Sequence, residues 1–309
     1  MPRISVVVTS YDNGSYLREA VDSVLAQTRP ADEILIADDA STDGSQALIV
    51  ELARAHPRLV RPILREQNLG VSRNRNDAAR QARGELMTTL DGDDRYLPGK
   101  LAGELAALDA DPAARIAYSN LRLIDEAGRS GRLWIEDDST APRGDLFAAT
   151  FARRYPRRDF FRFELMERSC FEAVGGYDPS LSLWEDWDLA IRLTKRWRVS
   201  YYPGVSFEVR RHGTGLSARR TAEHAAALAA VYRKNRSLLG DLPPAERRGV
   251  ERDVRRQIAK YDLLAAREAF AAGHPGEGLA HLLRRVRLAG LRRGDLGMVL
   301  RALRRRSED

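Results

Sequence analysis

A chain of 309 residues, 43% hydrophobic and 31% charged, is long enough for one large domain with an appendage or for two modest domains, each with an ample core. That composition is typical of a soluble globular protein, and no run approaches the roughly 20 apolar residues of a membrane span, which excludes a bilayer-crossing chain. The formal charge of +7 is concentrated at one end: nine arginines against three acids between His281 and Asp309 leave +6 there. The basic balance therefore argues against nucleic acid as a partner of the main domain and for a local anionic partner such as a membrane surface.

In chain order, ISVVVTS (4 to 10) reads as a strand, and its apolar run stops at Tyr11-Asp12-Asn13-Gly14 with no small-residue cleavage pattern. It is expected to be the first strand and not a secretory leader. YLREAVDSVLAQ then places Leu17, Ala20, Val21, Val24 and Leu25 on one helical face. EILIAD (33 to 38), LVRPIL (59 to 64) and ELMTTL (85 to 90) are the next strands, separated by the helical patterns SQALIVELARA and NRNDAARQA. Such alternation predicts βαβ units and a mostly parallel sheet flanked by helices. Ligands of these sheets sit outside the carboxyl ends of the strands. Thr9-Ser10-Tyr11-Asp12, Asp38-Asp39-Ala40-Ser41 and Asp91-Gly92-Asp93-Asp94 all fall there, so three polar or acidic clusters should converge on one edge.

From about Arg115 the pattern loosens into short strands (RIAYSN, RVSYYP, VSFEVRR) and helices (LFAATFARR, EDWDLAIRLTKRW), a mixed continuation of the same domain. Beyond Ser217 it turns helical throughout, with Pro243-Pro244 and His274-Pro275-Gly276 as punctuation. The expected organisation is an α/β domain over 1 to 217 and an all-helical extension over 218 to 309. Cys170 is the only cysteine, which rules out an intrachain disulfide framework and a multi-cysteine metal site and makes a cytoplasmic location the expectation.

Carboxylates as close as Asp91, Asp93 and Asp94 repel one another unless a cation or hydrogen-bond donors compensate. They read either as an oxygen ligand set for Mg²⁺ or Mn²⁺, or as a solvated Asp-Gly turn; these residues alone leave both open. DDASTDGS likewise reads as groups for a ribose or base edge, or as helix-capping residues.

TSYDNGSYLREAVDSVLAQT, EILIADDASTDGS, NLGVSRNRN, LDGDD, VGGYDPSLSLWEDWDLAIRL and RRHGTGLS occur in the order found in inverting family 2 glycosyltransferases, and residues 3 to 217 resemble that family. The resemblance implies a GT-A fold, Rossmann-like, followed here by the helical extension. It also implies a nucleotide-sugar donor, a divalent cation on its diphosphate, and a carboxylate base. By the same resemblance Thr9 and Tyr11 border the nucleobase and ribose, and Asp39 binds uracil. Arg73 approaches the base and diphosphate, Asp91 faces the ribose and the cation, and Asp93 is the metal ligand. Asp94 competes with Asp93 for that role. Surface charge is the alternative for Arg73 and the preferred reading for Arg75.

In SLSLWEDWDLAIRL, Ser182 and Glu185 match a capping box, and Asp188 and Arg192 are spaced as a surface ion pair. Asp186 is left without a structural duty, and the resemblance makes it the catalytic base. Trp184 and Trp187 flank it, as sugar platforms or as core. His212, before Gly213-Thr214-Gly215-Leu216-Ser217, is an ordinary polar residue or, by resemblance, a further metal ligand or diphosphate contact. Arg210 and Arg211 would then add positive charge near the leaving group, and the glycines would let the loop close.

The acceptor is expected to be a carbohydrate or lipid-linked molecule. Leu279, Leu282, Leu283 and Val286, then Leu296, Val299, Leu300 and Leu303, recur at helical spacing with arginines on the other faces. They read as core with solvated arginines, or as a peripheral contact with an anionic membrane. A nucleotide-sugar-binding protein without turnover is the rival of a different class, disfavoured by the joint presence of a metal set and a base. A nucleotidyltransferase would need a glycine-rich phosphate loop that TSYDNGS does not supply.

Overall fold

The computed structural model describes residues 1–155, 165–213 and 221–290. The chain forms two compact units, Met1–Thr150 with Arg154–Gly213, and Phe151–Arg153 with Thr214–Asp309.

The first unit is built on a nine-stranded sheet. One half consists of β1 (Ile4–Ser10), β2 (Glu33–Asp38), β3 (Val60–Leu64) and β4 (Leu86–Asp91), parallel and in the order β3-β2-β1-β4. Between them run α1 (Gly14–Leu25), α2 (Ser45–Ala55) and α3 (Val71–Gln81). All of β1 and β2 is buried, as strands covered on both faces must be. The helix α1 buries Leu17, Ala20, Val21 and Val24, the stripe its periodicity predicts. Register aligns Thr9 with Asp91 and Ser10 with Asp38, so the three polar strand ends stand side by side.

The other half is mixed. It contains β5 (Arg95–Tyr96), α4 (Lys100–Ala110), β6 (Ala114–Ile124), β7 (Ser130–Leu133), α5 (Phe147–Ala152), β8 (Leu165–Glu167), α6 (Arg168–Ala173), α7 (Glu185–Thr194) and β9 (Arg198–Arg210). The sheet continues β4-β8-β6-β9-β5, with β7 beside β6. Only β6 and β9 are parallel to each other here; β8 runs antiparallel to both β4 and β6.

The sequence reading splits β9 at Pro203-Gly204, and the structure corrects this. The pairing passes from Ser119↔Tyr202 to Asn120↔Val205, so Pro203 and Gly204 bulge out of the ladder while the strand continues. Proline, without an N–H, is tolerated there because no ladder bond is asked of it, and Gly204 takes the left-handed φ of 115°.

In the second unit lie α8 (Thr221–Asn235), α9 (Pro244–Ala271) and α10 (Pro275–Ala289). Pro244 and Pro275 stand in the first turn, where the missing N–H costs nothing. Leu282 and Ala266 are buried together, with Leu263 and Phe270 against them. Gly278 allows that approach, since a Cβ there would lie 2.8 Å from the Phe270 ring. Of the leucines in the predicted stripe, Leu282 is core, whereas Leu279 and Leu283 are exposed. Leu296, Val299, Leu300, Leu303 and the terminal arginines lie outside the described residues. Among the described residues, no helix is long and apolar enough to cross a membrane.

Candidate active site

The LDGDD turn ends β4 and folds against β1. Gly92 N–H donates to the Thr9 carbonyl at 2.8 Å, and the Asp94 N–H to the Asp91 carbonyl at 3.0 Å. A side chain at Gly92 is excluded, because its Cβ would stand 2.9 Å from the Thr9 carbonyl oxygen. The Thr9 hydroxyl donates to Asp91 Oδ1 at 3.1 Å. Carboxylate oxygens of Asp91, Asp93 and Asp94 all lie within 4.8 Å of one another. His212, just after β9, brings Nε2 to 2.8 Å from Asp93 Oδ2. Asp94 is the inner member: it is buried and accepts the Arg210 N–H at 2.8 Å, tying the turn to β9. Clustered carboxylate oxygens with one imidazole fit a hard divalent cation such as Mg²⁺ or Mn²⁺.

Arg75 corrects the sequence reading of a surface charge. It is 8% exposed and joins two acids, Nη2 to Asp91 Oδ1 at 2.5 Å and Nη1 to Glu185 Oε1 at 2.9 Å. The Tyr177 ring lies below it, 5.3 Å from centroid to guanidinium carbon. Burial opposes the charge, but Asp91, Tyr177 and Glu185 outweigh it and hold Arg75 protonated. Arg73, two positions away and so on the far side of α3, is exposed. A signal for this exists in the sequence: Ala78, Ala79 and Ala82 follow Arg75 at i+3, i+4 and i+7, placing it on the buried face.

The expected capping box is absent. The N-cap of α7 is Trp184, with a left-handed φ of 62° and no side-chain cap bond, so Glu185 opens the helix instead of standing three residues into it. Glu185 is buried against Arg75. Burial and then the neighbouring Asp186 push its carboxyl up to about 7, with Arg75 pulling the other way. Asp186 is half-buried, and its Oδ1 accepts the Trp187 N–H at 2.7 Å. Trp187 itself is core, with its indole N–H donating to the Thr150 carbonyl at 2.9 Å. The Asp188–Arg192 pair forms at 2.6 Å, but Asp188 is fully buried and Arg192 also reaches the Val174 and Gly176 carbonyls. It is an internal anchor for the Gly-Gly-Tyr loop, not the surface pair the spacing predicts.

On the other side of the strand ends, Asp39 is buried and accepts the Leu69 and Gly70 N–H groups, each at 2.8 Å. Its neighbours brace the loop that leads into α2, whose N-cap is Gly44: Asp38 accepts the Ser41 N–H at 2.9 Å and Asp43 the Ser45 N–H at 3.0 Å. Asp12 and Ala40 hold left-handed φ values of 50° and 66°, a costly backbone for residues with a Cβ and one concentrated at functional sites. Asp12 is fixed in it by accepting the Thr42 N–H at 2.8 Å. Tyr11, 52% exposed, stands at the rim. Arg211 is exposed, whereas Arg210 is buried under the Asp93-Asp94 turn. Thr214 to Ser217 lie outside the described residues.

Residues 5–169 match the family model Glycosyl transferase family 2. The chain belongs to that family. Uncharacterised proteins of Mycobacterium tuberculosis and Mycobacterium bovis are 33% identical over 221 residues, a match covering 69% of this chain and 60% of theirs. The succinoglycan biosynthesis protein ExoO of Rhizobium meliloti is 34% identical over 136 residues, 44% of this chain and 38% of that protein. The chain thus spans about 60% of the length of the first of these curated relatives. Among solved structures, residues 1–349 of S. aureus TarS in complex with UDP-GlcNAc superpose with a TM-score of 0.63 at 17% identity, over 93% of this chain and 84% of that one. A mannosyltransferase of Pyrobaculum calidifontis, in complex with GDP-Man and Mn²⁺, gives 0.60 at 20% identity, over 98% and 84%. At such identities the likeness carries the fold, and that fold is GT-A, as the sequence resemblance implies.

Proposed function

We propose that this chain is a metal-dependent, inverting, non-processive glycosyltransferase that moves a hexose from a nucleoside-diphosphate donor, a UDP-sugar first, to an acceptor hydroxyl. The reading is supported by one observation above all. At the carboxyl ends of β1 and β4, Arg75 links the Asp91–Asp93–His212 cluster to the Glu185–Asp186 pair.

In this reading Tyr11 offers its exposed ring to the base, Thr9 and Asp39 border base and ribose, and Arg73 reaches the diphosphate. Asp91 faces the ribose, and Asp91, Asp93 and His212 hold Mn²⁺ or Mg²⁺. The cation, when bound, neutralises the diphosphate and makes it a better leaving group. Asp186 takes the acceptor proton as its oxygen bonds to the anomeric carbon from the face opposite the departing diphosphate, so configuration inverts. A base needs reach to that hydroxyl and a stable negative charge, and the first turn of α7 favours the charge. Arg75 keeps Glu185 turned inward, leaving Asp186 to face the acceptor.

The donor role is tested by calorimetry with UDP: Mn²⁺ should strengthen binding, and Asp93→Ala should abolish the gain. Equal affinity with a chelator present overturns it. We assign catalysis to residues 1 to 217 and treat 218 to 309 as a helical extension in a cytoplasmic enzyme of polysaccharide or glycoconjugate synthesis. Its Arg-rich end would meet an anionic membrane presenting a lipid-linked acceptor, each basic residue contributing about 1 kcal/mol. Co-sedimentation with anionic vesicles should fall with salt and with truncation after Gly276; equal recovery with neutral vesicles refutes it.

A further inference from the structure

Behind the acidic turn lies a group of side chains with no role in the reaction outlined above, yet in contact with both Asp93 and His212. Arg210 is 5% exposed. Its Nε donates to the Asp93 carbonyl at 2.9 Å, its N–H to Asp94 Oδ1 at 2.8 Å, and its Nη1 to the Glu126 carbonyl at 3.0 Å. The guanidinium thus holds the turn at the Asp93 carbonyl, and the Arg210 backbone N–H holds it at the Asp94 side chain. That guanidinium is stacked on Tyr16, 4.6 Å from the ring centroid, and the His212 ring lies 5.5 Å from the same centroid. Tyr16 also donates its hydroxyl to Glu126 Oε1 at 3.3 Å. One ring of α1 thus sets the spacing between the arginine that carries Asp93 and the histidine that meets it.

A fixed positive charge beside a cation site works against the cation. Here it is offset: Glu19, three residues on from Tyr16 and on the same face of α1, pairs with Arg210 and also with Arg95, which in turn pairs with Glu208. Behind the turn Glu19 thus joins Arg210 to Arg95, and Glu208 joins Arg95 to Arg122.

We propose that Tyr16, Glu19 and Arg210 are positioning residues for the cation site. The Tyr16 ring and the Arg210 fork hold Asp93 and His212 at a ligating separation, and Glu19 screens the Arg210 charge from the cation. The inference rests on the metal reading above. Partners one layer behind metal ligands typically set affinity by about 10- to 100-fold.

Mn²⁺ binding to the full chain, measured by calorimetry alongside thermal melting, tests it with Tyr16→Phe, Tyr16→Ala, Glu19→Gln and Asp93→Ala. Tyr16→Phe keeps the ring and should stay within twofold of wild type, while Tyr16→Ala and Glu19→Gln should each weaken Mn²⁺ by about 10-fold and leave metal-free UDP binding unchanged. The Glu19→Gln loss is one of charge and should shrink as salt rises. Glu19 is 41% exposed, so its variant remains decisive should Tyr16→Ala not fold. Wild-type Mn²⁺ affinity in both variants, with Asp93→Ala deficient, overturns the positioning role alone. Wild-type affinity in Asp93→Ala as well overturns the metal reading and this inference with it.

Discussion

Two acidic centres of this chain are built differently. In the helical unit, Asp262 of α9 is 2% exposed and is met by His281 at 2.8 Å and Arg284 at 3.2 Å, both from α10. One carboxylate has two basic partners, and the arrangement pins one helix to the next. At the strand ends of the sheet, Asp91 and Glu185 share Arg75, His212 meets Asp93, and Asp94 accepts the Arg210 N–H, while Arg210 is paired with Glu19. Burying charge is costly in both places. The first cluster ties one helix to the next; the second gathers acids from β4, the turn after it and α7, with carboxylate oxygens of Asp91, Asp93 and Asp94 within 4.8 Å of one another.

The comparison is sharpest in catalysis. Asp186→Asn should lower kcat by about 10²- to 10⁴-fold while donor affinity holds, since it removes a proton acceptor and little else. A variant within a few-fold of wild type in a transfer assay would move the base to a neighbouring carboxylate. Next in size is Arg75→Met, which leaves the half-buried Asp91 and the buried Glu185 without their shared cation. It should cost about 3 kcal/mol in urea denaturation and weaken donor binding as well. A change of a few tenths would mean that solvent already compensates those acids. The smallest effect belongs to the helical unit, where Asp262→Asn should cost about 1–2 kcal/mol through loss of one charged hydrogen-bond acceptor. UDP and Mn²⁺ affinities should not move, and if they do, the two centres are not independent.

The parallel half of the fold was legible from its pattern. ISVVVTS, EILIAD, LVRPIL and ELMTTL carry β-branched runs of strand length separated by helical stripes, and the structure places β1 to β4 within a residue or two of them. The mixed half was less so. At four and three residues, β7 and β8 are too short to show a period, and β9 survives Pro203 only because β6 runs beside it. At the site, the strand-end rule brought Thr9, Asp39, Asp91 and Asp93 to one edge. Arg75 was misread because a charged residue in a helix is usually on its surface; the three alanines beyond it marked the buried face. Glu185 was misread because a capping box is a local pattern, and it fails when the helix begins two residues later than the serine requires.

What the sequence determined by itself is whatever depends on neighbours along the chain: the alternation of strand and helix, the acidic strand ends, and the order of motifs that identifies the family. What only the tertiary structure decided is which charges meet. Asp93 and His212 are 119 residues apart, and Arg75 and Glu185 are 110 apart. Pairing across such distances is set by sheet register and by the packing of α3 and α7 on the sheet, which no local period encodes. The raised carboxyl of Glu185 follows from the same cause, because burial and charge neighbours are properties of the folded chain alone.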